Sequence, residues 1–269
     1  MKPFLKWVGG KTRLIPQYTE LGLVPTKFNT YFEPFLGGGA MFFHLQNTGL
    51  IQRALLSDLN PYLANCYLQV KDSLPQLKRV LLNDFVESHD KVFFEEVRSS
   101  CFKSGLYNAA KFIYLNKACR SGMYRVNKKG EFNVPMGDLT QKIYQPALLS
   151  SANLALNSGN INVINTSFFN ISHLPQPGDF VFLDPPYHGT FNGYNEDVFG
   201  EKEQVKLRDI LLNYSKEGIK FLLCNSHNNF ILDLYNRSEF RINEVWRNGT
   251  INSKSKERGK VKELVISNV

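Results

Sequence analysis

The feature that most constrains this chain is an apolar run that ends abruptly in a polar tetrapeptide. The run is Phe180-Val181-Phe182-Leu183, and Asp184-Pro185-Pro186-Tyr187 follows it directly. A short run of β-branched and aromatic residues, preceded by the turn-forming pair Pro177-Gly178, is typical of a buried parallel strand. The tetrapeptide is therefore predicted at the carboxyl end of a strand, where open α/β sheets bind their ligands.

The tetrapeptide combines hydrogen-bond acceptors with an aromatic plane. Asp184 offers a carboxylate, Pro185 offers a backbone carbonyl in a stiff turn, and Tyr187 offers a ring. These groups suit a flat base with an exocyclic amine, because the acceptors take its two N–H bonds while the ring stacks on it. By itself the tetrapeptide is also compatible with a simple strand-ending turn, so the interpretation depends on the rest of the chain.

Composition places the chain among globular proteins with an anionic partner. Its 269 residues suffice for one large domain or for a domain with an insertion, and 43% hydrophobic residues support a substantial core. The net charge of +8 favours a polyanion. The four cysteines are scattered, without C-x-x-C pairs or histidine clusters, so we expect a reducing cytoplasm and neither disulfides nor a bound metal. We find no signal peptide or apolar stretch of membrane-spanning length and expect no membrane partner.

Strand and helix patterns alternate at both ends of the chain. This alternation favours an α/β fold with a parallel or mixed sheet and helices on both faces. The predicted strands are residues 29–33, 54–58, 161–164, 180–183, 220–224, 240–246 and 263–266. Helices are predicted over residues 40–46, 203–214 and 229–235.

The middle of the chain, residues 61–144, follows a different pattern. It is mostly helical in period, over residues 62–70, 74–83, 91–99 and 109–116. It ends in a predicted β-hairpin, in which residues 123–126 and 131–134 are joined by the turn Asn127-Lys128-Lys129-Gly130. We interpret this segment as an insertion into one sheet domain made of residues 1–60 and 145–269.

A glycine loop and a carboxylate follow the first two predicted strands. Phe35-Leu36-Gly37-Gly38-Gly39 allows a ligand to approach the backbone closely, and Asp58 ends the next strand about 20 residues on, where a carboxylate can hold ribose hydroxyls. Separately, the glycines could form a tight turn and Asp58 could cap a helix. Together they favour a ligand that contains adenosine. The loop lacks the full G-x-G-x-x-G pattern, which disfavours a nicotinamide or flavin enzyme.

Several of these segments together resemble a known family. They are Lys6-Trp7-Val8-Gly9-Gly10-Lys11, the glycine loop, the 184–187 tetrapeptide and the stretch 116–137. They closely resemble Dam-type DNA adenine-N6 methyltransferases, and their order matches the alpha subgroup of that family. The resemblance implies a Rossmann-like S-adenosylmethionine-dependent methyltransferase sheet, with residues 61–144 as a mostly helical target-recognition insertion that ends in the hairpin. It also implies methyl transfer to N6 of an adenine flipped out of duplex DNA, with GATC as the usual target.

The resemblance also implies roles for individual residues. The catalytic set would be Asp184, Pro185, Pro186 and Tyr187. The S-adenosylmethionine site would be lined by Trp7, Lys11, Phe35, Gly37, Gly39, Asp58, Phe168 and Asp184. Contacts to DNA would come from Lys6, Arg120, Met123, Arg125, Lys128, Pro135, Lys254 and Arg258.

The chain departs from the family pattern at two places. Thr166-Ser167-Phe168 stands where relatives commonly carry Gly-Asp-Phe, so Ser167 replaces the aspartate that contacts the cofactor adenine in those relatives. Arg120 or Ser121 stands where some relatives insert an aromatic residue into the DNA stack, so the way in which this chain flips a base can differ.

The implied partner is double-stranded DNA, in the cytoplasm and at the nucleoid. A methyltransferase that acts on cytosine N4, or on an amine of RNA or protein, is a close alternative because its acceptor geometry is similar. A catalytically silent DNA-binding relative is an alternative from another class, although this chain retains both the glycine loop and the tetrapeptide. The sequence leaves open whether a restriction endonuclease accompanies the protein, and in which oligomeric state it works.

Overall fold

The computed structural model describes residues 1–85, 90–138, 142–189, 199–248 and 260–269. Two residues predicted to bind DNA, Lys254 and Arg258, lie outside this range. The helices within it are α1 (Ile15–Glu20), α2 (Ala40–Asn47), α3 (Pro61–Asp72), α4 (Leu74–Asp84), α5 (Lys91–Ser99), α6 (Gly105–Ala118), α7 (Pro146–Asn157), α8 (Phe168–Ile171), α9 (Glu201–Glu217) and α10 (Asn229–Tyr235). Short 3₁₀ turns span Lys11–Arg13 and Arg120–Gly122.

The strands form a mixed sheet of seven strands in the order β3-β2-β1-β4-β5-β7-β6. Their bounds are β1 (Tyr31–Glu33), β2 (Arg53–Asp58), β3 (Asn160–Asn165), β4 (Phe180–Leu183), β5 (Lys220–Ser226), β6 (Arg241–Asn248) and β7 (Lys260–Ser267). β4 pairs in parallel with β1 and β5, whereas β7 runs antiparallel between β5 and β6. The chain order reverses direction between β1 and β4, and such a switch point is where open α/β sheets place their ligands.

The elements follow from local sequence signals. All four residues of β4 are buried, as its apolar run predicts. Helix α3 begins where the Asn60 side chain accepts hydrogen bonds from the backbone N–H groups of Tyr62 and Leu63, with Pro61 in the first turn. The mixed α/β class is confirmed, and each of the seven strands predicted for the sheet is present with its ends shifted by up to three residues.

The predicted hairpin is present as a turn with sparse pairing. The Asn127 N–H donates to the carbonyl of Glu131 over 2.9 Å, and Val126 bridges Phe132 in antiparallel fashion. The Asn127 side chain accepts from the backbone N–H groups of Lys129 and Glu131, so it closes the turn in place of further ladder bonds. The arms are therefore joined by one isolated bridge and do not form two continuous strands.

The contacts group the chain into two compact units. Unit 1 comprises Met1–Gly10, Leu36–Gln52 and Leu56–Ser167, and unit 2 comprises Lys11–Phe35, Arg53–Leu55 and Phe168–Val269. The hydrophobic core of unit 2 joins β4, β5 and β7 to helices α9 and α10, with Leu183, Leu223 and Leu264 fully buried. In unit 1, α3 packs on α6 and α7. In the described part of the chain, no helix combines the length and the apolarity needed to cross a membrane.

Candidate active site

Asp184 of unit 2 lies directly beyond the carboxyl end of β4 and forms an ion pair with Lys11. The Lys11 Nζ lies 2.8 Å from the Asp184 Oδ2, and the Lys11 side chain is almost fully buried while that of Asp184 keeps 22% of its surface exposed. The ammonium also lies 5.0 Å from the centre of the Tyr187 ring. A carboxylate that is both partly open and held by a buried cation is well placed to accept a hydrogen bond from a ligand.

Burial and the charge of the partner have opposite effects on the pKa of each residue in this pair. Burial alone disfavours the ammonium of Lys11, but the negative charges of Asp184 and Glu263 outweigh it, so the pKa of Lys11 is raised. Burial raises the pKa of the Asp184 carboxyl above its ordinary value, although Lys11 opposes that shift. Lys11 is therefore a charged partner, and it favours the ionised form of Asp184 against the effect of burial.

The rest of the tetrapeptide is held by buried polar groups. The Pro186 carbonyl accepts a hydrogen bond of 3.2 Å from Gln204 Nε2 of helix α9, and Gln204 Oε1 in turn accepts one of 3.0 Å from Asn225 on β5. Both amides are fully buried. The Tyr187 hydroxyl donates to Glu263 Oε2 over 2.8 Å. These contacts fix the Pro-Pro turn and its tyrosine relative to the sheet.

The glycine loop of unit 1 is packed so closely that side chains do not fit in it. A Cβ atom at Gly37, whose φ is +48°, would lie 2.7 Å from Trp7 Nε1, and one at Gly39, whose φ is +66°, would lie 2.8 Å from the Tyr67 hydroxyl oxygen. The Tyr67 hydroxyl also donates to the Gly37 carbonyl over 3.2 Å. Glycine is therefore required at these positions by the close packing of Trp7 and Tyr67 against the loop.

Asp58 ties the glycine loop to the end of β2. Its Oδ2 accepts from the Gly37 N–H over 3.0 Å, and its Oδ1 accepts from the Asn60 N–H over 2.9 Å. Asn60, not Asp58, caps helix α3. Burial raises the pKa of Asp58 despite these backbone hydrogen bonds. Each carboxylate oxygen retains further acceptor capacity, so the hydroxyls of a ribose fit this group.

Three other residues predicted to bind the cofactor are aromatic. In unit 1, Trp7 stacks on Tyr124 with ring centres 6.4 Å apart and an interplanar angle of 17°. In unit 2, Phe35 packs on Phe168 at 5.7 Å. Phe168 is buried in the core of that unit, whereas Phe35 is only half-buried.

The residues predicted to bind DNA that lie in the described part of the chain are grouped around the hairpin. Asn116 accepts a 2.9 Å hydrogen bond from the Lys6 backbone N–H and donates one of 2.6 Å to the Lys6 carbonyl. A Cβ at Gly122 would lie 2.4 Å from the Lys6 Cβ, so Lys6 adjoins the segment that precedes Met123. The exposed Arg120 donates its backbone N–H to the Pro135 carbonyl over 3.0 Å.

Arg125 is exposed and oriented by the opposite arm of the hairpin. Its Nε donates to Asn133 Oδ1 over 2.7 Å. Lys128 is exposed in the turn between the arms. The hairpin therefore presents two exposed cations, of which Arg125 is oriented by a hydrogen bond.

Sequence reasoning missed the residues that hold the site in place. Gln204, Asn225 and Glu263 are polar residues in otherwise apolar surroundings, and each is buried. A single charge beside an apolar strand, as in Glu263-Leu264-Val265-Ile266, was the available signal. Among the described residues, no histidine, cysteine or carboxylate cluster has the arrangement of a metal site.

The strand order and the groups at the end of β4 define an α/β protein whose candidate site lies at the switch point of its sheet. The chain belongs to the D12 class N6 adenine-specific DNA methyltransferase family, whose sequence profile matches residues 7–251. Membership of this family implies an S-adenosylmethionine-type methyl donor and a DNA substrate.

Individual relatives match along nearly their whole length. The chain is 36% identical to the type II methyltransferase M1.LlaDCHI of Lactococcus lactis subsp. cremoris, over 100% of this chain and 95% of that protein. It is 35% identical to the type II methyltransferase M.MjaIII of Methanocaldococcus jannaschii, over 100% of this chain and 99% of that protein. It is 29% identical to a DNA adenine methylase of Haemophilus influenzae, over 98% of this chain and 92% of that protein.

Proposed function

We propose that this protein transfers a methyl group from S-adenosylmethionine to N6 of an adenine that is flipped out of duplex DNA, within the sequence GATC. The observation that carries the proposal is the partly exposed Asp184 at the end of β4, held by the buried Lys11 and next to the Tyr187 ring. Family membership supports the reaction class. The target sequence follows from the resemblance of the hairpin to Dam-type enzymes.

Asp184 and the Pro185 carbonyl act on the target amine. The lone pair of adenine N6 is delocalised into the ring, so the amine is a poor nucleophile. Acceptors on both of its N–H bonds favour a tetrahedral nitrogen and stabilise the positive charge that the nitrogen gains on methylation. Asp184 is suited to this role because Lys11 favours its ionised form against the effect of burial. The proton that leaves N6 passes to Asp184 or to water.

Tyr187 stacks on the flipped base. The amine cannot be reached inside a duplex, and extrusion of the base costs a few kcal/mol. An aromatic ring beside the acceptors offsets part of that cost through stacking, at about 1–3 kcal/mol per base. The Pro-Pro turn supports this role, since its hydrogen bond to the buried Gln204 limits movement of the tetrapeptide.

The cofactor is assigned to the glycine loop, Asp58 and the aromatic residues Trp7, Phe35 and Phe168. S-adenosylmethionine supplies an activated methyl group on a sulfonium. Glycines of the loop carry no side chains of their own between its backbone and a ligand, and Asp58 holds the Gly37 N–H while its oxygens keep acceptor capacity for hydroxyls. The protein contributes position and orientation, which account for a large share of the rate in such transfers.

Residues 61–144 are assigned to target recognition, with Lys6, Arg120, Met123, Arg125, Lys128 and Pro135 at the DNA. The proposal is tested by incubating the purified protein with duplex DNA and S-adenosylmethionine and then sequencing the modified DNA. N6-methyladenine within GATC supports the proposal. Methylation of cytosine N4 would show that the protein is a cytosine-N4 methyltransferase instead. DNA binding without methylation would indicate a catalytically silent DNA-binding relative.

A further inference from the structure

A buried carboxylate on strand β7 has no part in the function proposed above. Glu263 is 2% exposed and lies on the strand between β5 and β6, opposite Ser226 on one side and Val245 on the other. A buried carboxylate is costly unless charged and hydrogen-bonding partners surround it. The groups that contact Glu263 therefore indicate its role in the protein.

Both oxygens of Glu263 have partners. Oε2 accepts the hydrogen bond from the Tyr187 hydroxyl over 2.8 Å, although the two residues lie 76 positions apart in the chain. Oε1 pairs with the guanidinium of Arg247. Arg247 reaches it diagonally across the β6–β7 ladder, since Arg247 and Val245 project from the same face of β6.

We propose that Glu263 is a positioning residue that holds the Tyr187 ring, by its hydroxyl, in the orientation in which the ring stacks on the target base. This inference rests on the proposed function. The turn fixes the Cα end of Tyr187, but rotation about its side-chain bonds would still swing the ring. A hydrogen bond to a charged acceptor at the far end of the ring removes that freedom, and Arg247 supplies the countercharge that burial of Glu263 demands.

The electrostatics favour Tyr187 as the permanent donor of this bond. Burial raises the pKa of the Tyr187 hydroxyl well above its ordinary value, and the charges of Asp184 and Glu263 raise it further. The phenol therefore stays protonated and can donate its hydrogen.

Three variants and one control test the assignment. Tyr187→Phe removes the hydroxyl but keeps the ring, Glu263→Gln weakens the acceptor, and the third variant combines both changes. The matched control is Glu244→Gln, because Glu244 is an exposed glutamate on β6 that pairs with His227 and Lys262. Unfolding temperatures of all four proteins monitor the fold.

Two readouts separate positioning from general stability. The first is the single-turnover rate of methylation on duplex DNA, together with DNA affinity. The second is the fluorescence of 2-aminopurine at the target adenine, which reports base flipping and stacking without any methyl transfer. Wild-type protein that fails to methylate adenine would overturn the proposed function itself, independently of any variant.

We expect each single variant to lose about tenfold or more in single-turnover rate, with DNA affinity retained, because a hydrogen bond to a charged group is lost. The double variant should be no slower than the slower single variant, and all three should alter the 2-aminopurine signal alike. The Glu244→Gln protein should match wild type. A wild-type rate in Tyr187→Phe, or strictly additive losses in the double variant, would overturn the inference.

Discussion

Buried Lys11 and partly exposed Asp184 form an ion pair, in which the Nζ and Oδ2 atoms lie 2.8 Å apart at the carboxyl end of β4. Sequence reasoning assigned Lys11 to the cofactor. Its contact with Asp184 gives it a different proposed role, which is to favour the ionised form of the carboxylate that accepts the target amine.

Replacement of Lys11 by Met is expected to shift the pH dependence of methylation. Activity requires ionised Asp184, so the acid limb of the pH–rate profile reports its pKa. Burial raises that pKa and Lys11 lowers it, so loss of Lys11 moves the acid limb to higher pH and lowers the rate at neutral pH. Single-turnover rates across pH measure this. Replacement of the exposed Lys27 by Met is the control. If the acid limb of the pH–rate profile stays at the same pH in Lys11→Met, the result would favour a role of Lys11 in cofactor binding.

Asp184→Asn is expected to remove most turnover while DNA and cofactor binding persist. The amide presents its oxygen as a weaker acceptor and carries no charge to stabilise the developing cation, and such transition-state contacts account for about a 10²–10³-fold effect on rate in other enzymes. Rates should be compared with those of Asp209→Asn, which changes an exposed aspartate of helix α9. A loss of only a few-fold would contradict the assignment.

Asp58→Ala is expected to weaken the binding of S-adenosylmethionine, with little effect on DNA affinity measured without cofactor. Asp58→Asn should lose less than Asp58→Ala, because the amide oxygen retains one backbone contact of the loop. Calorimetric titration of the cofactor provides the affinities, with Asp72→Ala as an exposed control. Equal cofactor affinity in all of these proteins would leave Asp58 with a structural role alone.

Arg125→Ala is expected to relax selectivity at one base pair of the target. Its guanidinium is oriented by Asn133, and a bidentate contact to guanine O6 and N7 contributes about 1–3 kcal/mol of discrimination. Lys128→Ala should instead weaken methylation of all sequences about equally, as for a phosphate contact. A panel of duplexes with single changes in GATC distinguishes the two. A uniform loss in Arg125→Ala would place Arg125 among the phosphate contacts.

Local sequence determined the elements and much of the candidate site. The apolar run 180–183 and the cap at Asn60-Pro61 each act within a few residues, so strand β4 and the start of α3 were predictable. The hairpin turn was predictable for the same reason. Its sparse pairing was not, because the Asn127 side chain takes over bonds that a ladder would make.

Only the tertiary structure decided which distant side chains meet. Lys11 contacts Asp184, and Glu263 contacts Tyr187. These residues come from both ends of the chain, and they meet near the carboxyl ends of the parallel strands β4 and β5, next to the antiparallel β7. No local pattern encodes such a pair, since neither partner affects the conformation of its own neighbours in sequence. Their contact depends on sheet order and register, which are set by burial of the whole apolar core.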